Sequence, residues 1–297
     1  MVSQLYQDIS RHSSSELKAI AIPKYAGSHP QILLMKKEIA EISQYLKLAV
    51  VHGSYATGEE IAYSDFDGLI VISDSAISNP EILSEVAFRL HQIRRYMHRI
   101  DPFQHHGWFV LSEKELYNYP EWFLPTAVLK YCKSLLADVV IDIRIQEKPD
   151  VDFRKSFTRI CESVIKKLSS AKSDWNLYQL KSIFSEFMML PSAYVQARDD
   201  KGIFKKYSFD EMRKDFSTQE FKVMDEVSSI RANWVVEVNG ADRKLLERLD
   251  FLSWKKRQRM KMTIPIFIES FLNDGLFERM NEFALLSKFK IQEGQSQ

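Results

Sequence analysis

Two short stretches decide the reading: Leu48-Ala49-Val50-Val51-His52-Gly53-Ser54 and, after ten intervening residues, Asp65-Phe66-Asp67 followed by Leu69-Ile70-Val71-Ile72. Each contains a brief apolar run of strand length, rich in β-branched residues. The first run ends in Gly-Ser. Glycine lets a backbone approach a ligand closely, because no Cβ intervenes. Ser54 then offers a hydroxyl and a backbone N–H where a helix is expected to start, a natural seat for a phosphate. The second run opens on two acids two residues apart. On a strand that spacing puts both carboxylates on one face. Like charges held together call for a cation between them, and Mg²⁺ takes one or two carboxylates together with substrate phosphates. A phosphate cradle beside a carboxylate pair is equipment for phosphoryl or nucleotidyl transfer.

Outward from this centre, the first half mixes helix and strand. Gln31–Tyr45 carries Ile32, Leu33, Met35, Ile39, Ile42 and Leu46 at helical spacing. Asn79-Pro80 opens a helix running to about His98, with Ile82, Val86, Leu90, Ile93 and Met97 on one stripe. Phe103–Leu111 reads as a third strand, Phe123–Leu136 as a helix and Val139–Ile145 as a fourth strand. The second half reads as five or six helices. Phe153, Phe157, Ile160, Cys161, Val164, Ile165 and Leu168 form one stripe, and Trp175–Tyr194 is a second helix interrupted at Pro191. Ser208–Glu211 and Ser217–Glu220 match the capping box and predict two further helix starts. The expected fold is α+β: a small mixed sheet flanked by helices, followed by an all-α bundle.

The Gly53-Ser54 turn, the ten-residue spacing and the Asp65-Phe66-Asp67 strand start together resemble the DNA polymerase beta-like nucleotidyltransferase superfamily. The texts Gly53-Ser54-Tyr55-Ala56-Thr57-Gly58-Glu59 and Tyr63-Ser64-Asp65-Phe66-Asp67 are similar to its small bacterial members. A helical bundle after an α/β core resembles the aminoglycoside nucleotidyltransferases among them. The resemblance implies that Gly53, Ser54 and Ser64 hold the phosphates of a nucleoside triphosphate, with ATP expected. It implies that Asp65 and Asp67 bind a catalytic Mg²⁺ pair. A third carboxylate on a later strand would bind one metal and activate an acceptor hydroxyl. Lys205-Lys206, before an expected helix start, resemble the basic residues that relatives bring to the triphosphate from the helical domain.

No acid stands where the third carboxylate is expected. The segment Asp101-Pro102-Phe103-Gln104-His105-His106-Gly107-Trp108-Phe109 holds two histidines instead. Imidazole can serve as a general base near neutral pH and can ligate metal, although Mg²⁺ prefers oxygen. Strand parity groups His106 with Gln104 and Trp108, and His106 is the expected site-facing residue. His105, Asp101 and Asp142 remain alternatives for the third position.

The resulting organisation is a helical N-terminal extension over 1–24, a nucleotidyltransferase core over 25–147, a helical domain over 148–290 and a polar tail over 291–297. Of 297 residues, 41 are Lys or Arg and 40 are Asp or Glu, a net charge of +1 that argues against a nucleic-acid partner. The basic run Lys255-Lys256-Arg257-Gln258-Arg259-Met260-Lys261 reads as a solvated face. Two cysteines make neither a disulfide framework nor a Cys-rich zinc site, which fits a reducing cytoplasm. The opening Met1-Val2-Ser3-Gln4-Leu5 lacks a basic segment followed by an apolar run, so no signal peptide is expected. No apolar stretch approaches membrane-spanning length.

Overall fold

The computed structural model describes residues 18–104, 106–120, 123–145, 152–169, 175–234, 239–259 and 266–293. These fall into two compact units. One lies within His12–Lys148 and Glu237–Gln258, the other within Pro149–Val236 and Arg259–Gln297. The described residues 239–258 thus group with the first unit, although they follow the boundary expected near 148.

The first unit is built on two sheets. Its elements are β1 (Lys18–Ile22), α1 (Pro30–Ala40), β2 (Leu46–His52), α2 (Ser54–Thr57), β3 (Asp67–Ile72), α3 (Asp74–Ile77), α4 (Pro80–Ile100), β4 (Phe109–Ser112), α5 (Glu113–Tyr117), β5 (Asn118–Tyr119), α6 (Thr126–Tyr131), β6 (Lys133–Ser134) and β7 (Val139–Ile145). The main sheet has the order β4-β3-β2-β6 and the second the order β1-β7-β5. β2 and β3 run antiparallel, and β4 lies parallel to β3.

The central strands are apolar on both faces because both faces are covered. Ala49 and Val51 of β2, with Ile70 and Ile72 of β3, meet Ile32, Met35 and Ile39 of α1 and Val86, Leu90, Ile93 and Met97 of α4. The alternate residues Leu48, Val50, Leu69 and Val71 point the other way, onto Ile22, Ile141 and Ile143 of the second sheet and Leu129 of α6. A one-residue slip in either strand would exchange these two sets. Such a register leaves little freedom where β2 ends and β3 begins, and there the candidate site lies.

The helical unit holds α7 (Phe153–Ser169), α8 (Leu177–Phe187), α9 (Leu190–Asp199), α10 (Lys205–Arg213), α11 (Thr218–Ala232), α14 (Ile266–Asn273) and α15 (Leu276–Glu293); α12 (Gly240–Leu246) and α13 (Phe251–Arg259) group with the first unit. The expected α7 stripe is buried at Phe157, Cys161, Val164 and Leu168. Pro191 sits in the first turn of α9, where its missing N–H costs no helical bond, so the break falls just before it. Ser217 and Glu220 form the expected capping box of α11. Phe216, Phe221 and Phe283 pack ring against ring at the centre of this unit.

Several expectations are corrected. Of the expected helical extension over 1–24, residues 1–17 lie outside the described residues, and Lys18–Ile22 forms β1, paired antiparallel with β7. Ile22 is buried against the second core, and that burial favours strand. The third strand is shorter than expected and begins at Phe109. The expected helix over 123–136 is only α6, and the chain then turns into β6 beside β2. Ser208 does not cap a helix start. It is buried inside α10 and donates to the Lys205 carbonyl at 2.6 Å, because the helix begins three residues earlier. Both cysteines are buried and free. Among the described residues, no helix is long and apolar enough to cross a membrane.

Candidate active site

The β2–β3 pairing sets the geometry. His52, the last residue of β2, lies opposite Asp67, the first of β3. Gly53 then turns the chain into α2 with φ +67° and ψ −151°, a conformation that side chains rarely tolerate. Its surroundings are as demanding as its backbone: a Cβ there would stand 2.7 Å from Asp67 Oδ2. Ser54 is the first residue of α2, and Thr57 closes the turn with its hydroxyl within 3.4 Å of the Gly53 carbonyl.

Asp65 lies just before β3, so the strand itself begins at Asp67. The two carboxylates converge all the same. His106 Nε2 stands 3.3 Å from Asp65 Oδ2 and 3.1 Å from Asp67 Oδ1. About a quarter of each of these three side chains is exposed (24–28%), enough to admit a small ligand. One donor atom from each falls within 4.8 Å of the others, as a metal cage requires. Burial alone would push the His106 imidazole down, but the hydrogen bonds and charges of Asp65 and Asp67 outweigh it, and its pKa is raised to about 10. In the absence of metal the imidazolium acts as the cation that the two carboxylates need.

His106 is not on a strand. It is held by Gln104, a residue that sequence reasoning passed over. The buried Gln104 amide spans the backbone of Phe66, between the two acids: the Phe66 N–H donates to Oε1 at 2.9 Å, and Nε2 donates to the Phe66 carbonyl at 2.9 Å. Nε2 also donates to the His106 carbonyl at 3.1 Å. One side chain thereby ties the Asp65-Phe66-Asp67 segment to His106. The parallel pairing of Leu69 with Phe109 brings the preceding residues alongside. Trp108 packs edge-on against Phe66, and its ring occupies the place a side chain at Gly68 would take. His52 completes the floor. It is buried with its ring beside Phe109, and burial pushes its pKa down, so it stays neutral.

The other sequence candidates lie elsewhere or act otherwise. Ser64 accepts the Ile61 N–H at 3.0 Å and closes a local turn. Asp101 ends α4, and its Oδ1 accepts the Phe103 N–H at 2.9 Å, a turn-forming role. Asp142 lies on β7 in the second sheet, solvent-facing opposite Ala19, and does not join the group. His105 lies outside the described residues. Lys205 and Lys206 occupy the first turn of α10 in the helical unit rather than the loop before it.

Residues 34–162 match the family model of the nucleotidyltransferase domain. That match covers 129 of the 297 residues, and this part of the chain is similar to nucleotidyltransferase domains. No curated protein matches its sequence significantly. Among solved structures, it is similar to a spectinomycin adenyltransferase, AAD(9), from Enterococcus faecialis, determined with ATP and spectinomycin. The identity is 12% and the TM-score 0.38, over 78% of this chain and all of that one.

Proposed function

We propose that this protein transfers a nucleoside monophosphate from a nucleoside triphosphate, read as ATP, to a hydroxyl acceptor on a small molecule or protein, with pyrophosphate leaving. The observation that carries this reading is the convergence of Asp65, Asp67 and His106 beside the Gly53-Ser54 turn, within the part of the chain similar to nucleotidyltransferase domains. The donor atoms fit a divalent cation: cis ligands of an octahedral ion at about 2.1 Å stand about 3.0 Å apart, and the Nε2–carboxylate separations are 3.1 and 3.3 Å. Asp65 and Asp67 would hold that cation, Mg²⁺ on the family resemblance and in a two-metal site, with His106 as the third donor. Once bound, it would neutralise charge developing on the transferred phosphate.

The chain's own groups have separable tasks in this reading. Gly53 leaves the space in which the Asp67 carboxylate stands. The half-buried Ser54 offers its hydroxyl and N–H to phosphate oxygens. Gln104 fixes the spacing of the two acids by holding the peptide between them. Lys205 and Lys206 are proposed, on the family resemblance, as phosphate-binding residues from the helical unit. The near-neutral net charge supports an acceptor other than nucleic acid, and two buried free thiols are compatible with a cytoplasmic setting.

The test compares nucleotides labelled at the α- and γ-phosphates, offered with a metabolite extract as acceptor pool. Nucleotidyl transfer predicts label in an acceptor from the α-position only. Label from the γ-position alone contradicts the reading. Label from neither supports the second reading, a nucleotide-binding regulatory module with weakened catalysis, which the imidazole in place of a third carboxylate favours.

A further inference from the structure

We propose that the Asp65–Asp67–His106 set selects Mn²⁺ over Mg²⁺. The inference rests on the reading of this cluster as a cation site and goes on to name the ion.

Hydrogens fix the tautomer of His106. The Gln104 amide nitrogen carries two, and it has the carbonyls of Phe66 and His106 as acceptors at 2.9 and 3.1 Å. It has no third hydrogen for His106 Nδ1, which lies 3.3 Å away. Nδ1 therefore keeps its own hydrogen and donates it to the Gly107 carbonyl at 3.2 Å. In the neutral ring that assignment leaves the lone pair on Nε2, the atom aimed at both carboxylates. A backbone carbonyl fixing the far nitrogen is how metal-ligating histidines are usually oriented.

The donor set is then two carboxylate oxygens and one imidazole nitrogen. Mg²⁺ is hard, demands near-ideal octahedral oxygen coordination and gives up its waters reluctantly. Imidazole suits Zn²⁺, Cu²⁺, Fe²⁺ and Ni²⁺ best, while carboxylates suit Mg²⁺ and Mn²⁺ alike. Of those last two ions, Mn²⁺, a first-row transition ion, is the one that admits a nitrogen donor. It accepts the nitrogen without losing the oxygen-rich octahedron that a triphosphate would complete. A Mg²⁺ ion here would have to bind a poor ligand or forgo the third one.

The full-length protein is titrated with MnCl₂ alone, with free Mn²⁺ followed by its electron paramagnetic resonance signal. MgCl₂ is then added in competition. The wild type should bind Mn²⁺ at a site absent from Asp65→Asn/Asp67→Asn, and require Mg²⁺ in molar excess over Mn²⁺ to displace it. His106→Gln should lose at least about tenfold in Mn²⁺ affinity with little change for Mg²⁺. His106→Asp, with an oxygen donor restored, should bring the two ions closer together. Displacement of wild-type Mn²⁺ by equimolar Mg²⁺ overturns the inference, as does an equal loss of both ions in His106→Gln. Because the wild-type competition involves no variant, a misfolded variant cannot rescue it. If α-label transfer runs on Mg²⁺ while this preference is absent, the selection fails and the transferase reading stands.

Discussion

The Asp67 carboxylate occupies the space that a side chain on Gly53 would fill: an added Cβ would stand 2.7 Å from Oδ2. Gly53 also has φ +67°. Backbone and neighbour thus make the same demand. Gly53→Ala should destabilise the fold by about 1–3 kcal/mol through the forced conformation. It should also push Asp67 away from Asp65. Urea unfolding reads the first effect and cation titration the second, and cation affinity should fall further than that stability loss explains.

Gln104 offers a different prediction. Phe66 is fully buried, and both its backbone groups bond to the Gln104 amide. Gln104→Leu leaves them without these partners, at about 1–3 kcal/mol each. Gln104→Glu keeps an acceptor for the Phe66 N–H but loses both donors and adds charge beside Asp65 and Asp67. A group that positions the acids should affect kcat more than the KM for nucleotide, whereas simple unfolding lowers the active fraction and leaves KM unchanged with no change in ion preference. The two cases separate when activity is normalised to folded protein measured by circular dichroism.

The pH dependence of the cation-free protein follows from His106. Its pKa is raised in the folded state to about 10 from an ordinary 6.5. A raised value means that the native state holds the proton more tightly than the unfolded chain does. The stabilisation is full below about 6.5 and is lost as pH rises through about 10. Melting temperature in chelator should fall across that window in the wild type and fall less in His106→Gln. His52 has the opposite sign: its pKa is lowered by burial, so its contribution is lost as pH falls below the ordinary value.

Gly68 tests the support behind the site. A Cβ there would stand 2.3 Å from the Trp108 ring and 2.8 Å from the Phe66 ring. Gly68→Ala should cost about 1–3 kcal/mol through overpacking. Trp108 fluorescence reports the ring's displacement, and a spectrum unchanged from wild type would contradict the packing described.

The fold was legible where hydrophobic spacing was long or doubly constrained. The stripes of α1, α4 and α7 and the apolar runs of β2 and β3 each carry their burial in their spacing. The short elements were not legible. β6 has two residues, and its pairing with Val50 and Val51 is a tertiary contact without local signature. β1 was missed because Lys18-Ala19-Ile20-Ala21-Ile22 suits helix as well as strand until β7 is beside it. In the site, Gly53, Asp65 and Asp67 were readable because each residue type is demanded by its chemistry. His106 was reached by strand parity, yet neither it nor the other described residues of 103–108 lie on a strand. The Gln104 amide places His106, and a glutamine in a loop gives no sequence sign of the peptide it will hold.

The most direct test is thermal melting with each nucleoside triphosphate, with and without Mg²⁺ or Mn²⁺, on the wild type and on Asp65→Asn/Asp67→Asn. A ligand at one hundred times its dissociation constant stabilises by about 2.7 kcal/mol, worth several degrees at roughly 2–4 °C per kcal/mol. The account predicts a rise that requires the divalent cation, is largest with one nucleotide and disappears in the double variant. No rise with any nucleotide, or a rise the double variant retains, contradicts it.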